Sequence, residues 1–300
     1  MSKRIVTAVA LIGAAGVISG CSLEQPSAGC IVQDSTDYPW QAVYVLKSGD
    51  ATKACGQLKG EALGVWKYIE FNKGANEQLT KKRAYIGIRP EGLAKRFEPV
   101  VFEDEVLNAD GTVKTGPDGK PVMEEKEEER VEGARDNNYA IAKAATALSE
   151  TLADEPDANG LCATTGFKPA TVTTKEIIRE NEVDGTTEVV SPAESLSYAF
   201  SDVKVYSDPS APGTQLTGTL KYSTGPDCEA EYTVLALWPQ VECDPKAYAA
   251  PTKENAADRC AEGSGLNPDF DAECVAGIGP EGAAACVPNR AKGVPAFLNK

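Results

Sequence analysis

Nine cysteines are spread along a 300-residue chain that contains no histidine. No two of them stand in the C-x-x-C spacing by which zinc ribbons and fingers hold their metal, and imidazole ligands are absent. Thiols in this number that hold no metal read as disulfide partners, which persist in an oxidising compartment. Nine is odd, so one cysteine must have another fate. Chemistry is constrained as well, because Ser-His-Asp and Cys-His nucleophile systems both need an imidazole.

The start of the chain supplies the odd cysteine. Lys3 and Arg4 precede an uncharged, mostly apolar stretch of 16 residues, Ile5 to Gly20, interrupted by Gly13, Gly16 and Gly20. That is shorter than the roughly 20 apolar residues of a spanning helix. A charged start, an apolar middle and a small-residue end are the layout of a secretory signal. The stretch closes on Ile18-Ser19-Gly20-Cys21, which resembles the lipobox of bacterial lipoproteins. The resemblance implies cleavage after Gly20, a diacylglyceryl group on the Cys21 thiol and a fatty-acyl chain such as palmitate on the new amine. Two or more chains anchor a protein stably, each buried methylene contributing about 0.8 kcal/mol. Ser22, not an acidic residue, follows Cys21. For this family that implies export to the outer membrane.

With Cys21 lipidated, eight cysteines remain: Cys30, Cys55, Cys162, Cys228, Cys243, Cys260, Cys274 and Cys286. They suffice for four disulfides, and their connectivity stays open. A Cys228–Cys243 bridge is disfavoured, because an apparent strand over 231–238 separates the two by roughly 26 Å. Bridged Cα atoms lie within about 7 Å. The last four cysteines fall within 44 residues, which suggests a bridged C-terminal segment.

Forty-five acidic residues against 30 basic ones give a net charge of −15, and removal of Lys3 and Arg4 deepens it to −17. Such a charge repels phosphate backbones and anionic lipid surfaces, so the chain as a whole is not expected to bind phosphate, and nucleic acid is excluded as a partner. The expected attachments are a membrane, through the N-terminal lipid, and an envelope protein partner. No cofactor is indicated.

Along the chain, residues 1–20 read as the cleaved signal and 21–29 as a lipidated tether. A strand-rich module is expected over 30–102: Ala42 to Leu46 and 84–88 are apolar runs, while Val65, Ile69 and Phe71 share a period of two. Leu93 and Phe97 suggest a helical turn after Pro90. Residues 103–133 hold eleven acidic and four basic residues, with Asp-Gly turn signals at 110–111 and 118–119, and read as an exposed hairpin arm or a loop. The spacing of Ile141, Ala144, Ala145, Leu148 and Leu152 predicts one clear helix near 136–153, within a segment 134–156, capped by Asp136 or Asn137 and stopped by Pro156. A second β-rich module is expected over 157–243, with a break in strand phase near Asp202 and a strand over 234–238 that is apolar on both faces. Residues 244–300 read as a cysteine-stapled tail, too poor in apolar residues to hold a core of its own. The fold class is α+β, predominantly β and antiparallel. A single domain and two modules both fit, and two are favoured because a charged stretch and a helix separate the strand-rich halves.

Motifs for catalysis are weak. Ser201-x-x-Lys204 and Lys114-Thr-Gly116 match fragments of the penicillin-binding signature in reversed order, and the first lies on a strand pattern rather than at a helix start. Asn267, Asp269, Asp271 and Glu273 form an acidic cluster that could offer oxygen ligands to calcium. The segments Cys228 to Cys243 and Cys260 to Cys286, including Tyr232-x-Val234-x-Ala236-x-Trp238-Pro239, are similar to a region of cysteine-rich lipoproteins of myxobacterial type. The likeness covers roughly residues 214–290. These families have no assigned reaction, so the resemblance implies location and disulfides without chemistry. The functional expectation is a membrane-anchored envelope lipoprotein with a non-enzymatic structural or binding role. A calcium-dependent adhesion module and an enzyme using carboxylates, Tyr or Lys are the alternatives.

Overall fold

Period-two burial organises the chain from Trp40 onward. In strand β1 (Trp40–Ser48), Trp40, Ala42 and Tyr44 enter one core, and β2 (Gly60–Lys73) adds Leu63 and Val65 in alternation. The computed structural model describes residues 29–180 and 185–299. The signal segment, Cys21 and the tether to residue 28 lie outside the described residues.

Strand β3 (Leu79–Pro90) returns along β2, while β4 (Val100–Glu105) and β5 (Met123–Glu128) pair as a separate hairpin. Strands β6 (Ala147–Leu152), β7 (Leu161–Lys168) and β8 (Ala170–Thr173) rejoin the main sheet, and β9 (Ile177–Glu180) pairs with β10 (Thr187–Ser191). The long strands β11 (Ser195–Tyr206), β12 (Gln215–Thr224) and β13 (Glu229–Leu237) follow, then a small pair, β14 (Ala272–Val275) with β15 (Ala285–Pro288).

The main sheet runs β12, β13, β1, β2, β3, β6, β7, β11, and β11 pairs again with β12. Eight antiparallel strands thus close an up-and-down barrel, with the first strand β1 beside the last, β13. β8 adds to the half of β11 that β7 does not reach. Closure gives every strand of the ring a neighbour on both sides over part of its length. Its mouth lies where Val43 faces Gly60 and Leu196 faces Thr224, and its base where Tyr206 faces Leu161.

The fold is strand-rich and antiparallel, with short helices, as the sequence patterns imply. Strands from 30–102 and from 157–243 share this one ring, rather than forming two modules. Three strands from one and four from the other, joined through β6, satisfy backbone groups that either set alone would leave open. The helix expected over 136–153 is shorter. Asn137 caps it by accepting from the Ala140 N–H at 3.0 Å, α2 covers only Asn138–Ala144, and β6 follows from Ala147. Ala147, Ser149 and Leu152 are buried, and Ser149 Oγ accepts the Ile86 N–H at 2.9 Å. The gap between β3 and β7 needed a strand, and that pairing outweighs the helical spacing of Leu148 and Leu152.

Residues 103–133 form the hairpin of β4 and β5 and its turns, with Lys126 on Asp104 and Arg135 on Glu127 offsetting part of the acidic charge. The turn after Pro90 is present as α1 (Glu91–Ala94).

The disulfides pair Cys30 with Cys162, Cys55 with Cys228, Cys243 with Cys274 and Cys260 with Cys286. The C-terminal segment packs on the barrel's outer wall, where Ile278, Ala285 and Val287 cover Val43 and Leu235. Two buried glutamines clamp it: Gln41 Nε2 donates to the Ile278 carbonyl at 2.7 Å, and Gln215 Oε1 accepts the Ala296 N–H at 2.7 Å. This cover is why β13 is apolar on both faces.

Candidate functional site

One carboxylate interrupts the apolar lining at the mouth. Glu61 continues the inward phase of Leu63 and Val65 and is buried with them. Burial strips water from a charge, so every oxygen must find a donor. The Tyr44 hydroxyl donates to Glu61 Oε1 at 3.0 Å, and the Gly92 N–H at the start of α1 donates to Oε2. The Tyr198 hydroxyl is a third partner. A Cβ on residue 92 would stand 3.0 Å from Glu61 Oε2 and 3.1 Å from the Tyr198 hydroxyl, so a side chain there would crowd both groups by a few tenths of an ångström.

Desolvation dominates the electrostatics. It outweighs the three hydrogen bonds and pushes the Glu61 carboxyl up to about 7. The same burial, with the Glu61 charge second, raises the Tyr44 and Tyr198 hydroxyls well above the ordinary tyrosine range, and pushes Tyr222 up to about 12. Tyr222 packs edge-on against Tyr198, centroids 4.8 Å apart.

Tyr222 is also where this buried cluster meets solvent. It lines a cavity of about 630 Å³ at the mouth together with Arg96, Thr173, Thr174, Glu194 and Thr224. Glu61 and Tyr198 do not line it. Arg96 Nε bonds Glu194 Oε2 at 2.6 Å, and Glu194 is fixed in turn by its N–H donating to Thr174 Oγ1 at 2.9 Å. The site thus offers a fixed cation, a fixed anion and hydroxyls to an incoming molecule, above a carboxyl already fully hydrogen-bonded.

The sequence reading missed this cluster, although one signal was available: an acidic residue in phase with two inward apolar ones. The residues that it named fall elsewhere. Cys21 lies outside the described residues, and the other eight cysteines stand as four bridges. The Cys243, Cys260 and Cys286 sulfurs come within 4.8 Å of one another, but all are bonded in disulfides. Asn267, Asp269, Asp271 and Glu273 are not gathered on one point. Asp271 pairs with Lys292 at 2.8 Å, Glu273 with Arg290 at 2.7 Å, and Asn267 caps the Asp269 N–H. Among the described residues, no group of three or more acidic side chains is drawn together as metal ligands would be.

Comparison with known proteins places this architecture. The family model MlpA matches residues 38–239, a span that brackets the barrel from β1 to β13. A Myxococcus xanthus protein described as "Putative lipoprotein MlpA" is 30% identical over 304 residues, covering 99% of this chain and all of that one. No solved structure matches. The match spans the barrel and, through the relative, the disulfide-bearing remainder, and on it the chain belongs to the MlpA family of myxobacterial-type lipoproteins.

Proposed function

We propose that this protein is a lipoprotein of the cell envelope, held in the outer membrane through lipid on Cys21, and that it works by binding at the barrel mouth rather than by catalysis. The observation that carries the reading is polarity. Residue 30 enters at the base, bridged to Cys162 beside the Tyr206–Leu161 pair, whereas the cavity with Arg96 and Glu194 opens at the other end. A tether at the base presents the mouth away from the membrane. Binding is favoured over catalysis because the lumen is packed with side chains and Glu61 is sealed by its own partners. Arg96 and Glu194 together suit a polar ligand that brings both an acceptor and a donor.

Two measurements test this. Intact-mass analysis of the mature protein is expected to show a chain beginning at acylated Cys21. An unmodified Cys21, or a chain still starting at Met1, overturns the anchor. For the mouth, cross-linking in intact cells is expected to give an adduct that disappears in Arg96→Ala and Glu194→Ala and persists in Glu61→Gln. An adduct indifferent to Arg96 and Glu194 overturns binding at this site.

A further inference from the structure

The hairpin of β2 and β3 outgrows the barrel. β1 pairs with β2 only as far as Leu63, and β6 pairs with β3 only from Ala84 onward. Beyond these limits the two strands continue to the Lys73–Leu79 pair, past the base. Five residues of extended chain, 79–83, make that projection roughly 16 Å.

The projecting part has an unusual composition. Ile69, Phe71 and Leu79 are 46%, 51% and 65% exposed. Large apolar groups gathered on one element mark an interaction surface, whereas scattered ones do not. Around them stand five cations, Lys67, Lys73, Lys81, Lys82 and Arg83, against three paired acids, Glu70, Glu77 and Asp154, in a chain whose net charge is −15. Exposed apolar side chains ringed by cations match an anionic lipid surface.

Position names the occupant. Lys67 donates to the Cys30 carbonyl, Lys81 pairs with Asp154, and the Asp154 carbonyl accepts the Cys30 N–H at 2.9 Å. The chain therefore leaves the barrel toward Cys21 at the flank of this hairpin. Eight further residues lead back to Cys21 and reach at most about 28 Å. That reach is commensurate with the projection, so a bilayer holding the Cys21 lipid lies within reach of the hairpin tip.

We propose that the distal half of the β2–β3 hairpin is a second membrane contact, seating Ile69, Phe71 and Leu79 in the interface of the anionic phospholipid surface that carries the Cys21 lipid. The proposal rests on the anchor reading above for its choice of surface. It fixes the orientation of the barrel on that surface, base down.

A tryptophan reporter in the full chain tests it. Leu79→Trp is mixed with vesicles of phosphatidylcholine and phosphatidylglycerol carrying brominated acyl chains, and unsubstituted protein gives the background. Its emission is expected to shift to the blue and fall about twofold or more, with Tyr139→Trp, near the mouth, unaffected. Adding Ile69→Ser and Phe71→Ser, both surface changes that leave the barrel core intact, is expected to weaken partitioning roughly tenfold, as is about 0.5 M salt. A position-79 reporter that stays in water, or partitioning equal in the serine variant, overturns the hairpin contact. The two readings fail separately. An unmodified Cys21 with quenching at position 79 sinks the anchor alone, and acylated Cys21 without quenching sinks the hairpin alone.

Discussion

Replacing both Cys55 and Cys228 by serine is expected to lower the stability of the barrel by about 4 kcal/mol, the scale for a bridge closing a loop of this length. The two residues stand 173 apart in sequence, and the bond ties the loop before β2 to the start of β13. At roughly 2–4 °C per kcal/mol for a protein of this size, melting should fall by roughly 10 °C. The variant still folds, because the loop has a second restraint. The Tyr232 hydroxyl donates to the Cys55 carbonyl at 2.5 Å and accepts the Leu58 N–H at 3.1 Å. The pair of changes Cys260→Ser and Cys286→Ser opens a separation of only 26 residues in the outer cover and should cost less, with the barrel's own transition kept. Calorimetry of the two double variants checks the order. Equal melting temperatures would show that loop length does not set the contribution.

The second large effect is a pH dependence that belongs to one residue. Glu61 is raised by burial from 4.5 to about 7 in the folded barrel. Below about pH 4.5 it is protonated in both states and its burial carries no ionic penalty. Between there and about pH 7 the unfolded chain releases the proton while the barrel retains it, so stability falls as pH rises. By the time pH passes about 7 the loss amounts to about 3 kcal/mol, at about 1.4 kcal/mol per unit. Glutamine imitates the protonated carboxyl: its oxygen can accept from Gly92, and its amide can donate to the tyrosine hydroxyl oxygens. Urea unfolding of Glu61→Gln should match the unsubstituted protein near pH 4.5 and exceed it by about 3 kcal/mol at pH 8. Other groups titrate alike in both proteins and cancel in the difference. Parallel stability curves would sink the assignment.

Much of the barrel is legible in local pattern, because alternation along a strand is a local property. Val65 shares its phase with Ile69 and Phe71, and the break near Asp202 is a real bulge: the β11–β12 register shifts between Ser201 and Lys204, and Asp202 takes a φ of 52°. Closure is different. That β1 meets β13, and that 147–152 fills the space between β3 and β7, depends on partners far away in sequence, which no local period encodes. The same holds for Glu61. Its phase is readable in a window of five residues, but Tyr44, Gly92, Tyr198 and Tyr222 are brought to it by four different elements. Among 45 acidic residues a single inward one has no prominence until those neighbours are in place.

The order of the bridges carries a further consequence. Taken from residue 30 onward the cysteines come as 30, 55, 162, 228, 243, 260, 274 and 286, and no two neighbours in that series are bonded. Each of the two sets of four is interlaced, the first cysteine joining the third and the second the fourth. A chain oxidised in the order in which its thiols emerge would acquire 30–55 and 243–260, neither of them native. Correct pairing therefore has to wait for the barrel to bring remote strands together, or be recovered afterwards by thiol–disulfide exchange. The finished protein is thus braced by bonds that its own synthesis order works against.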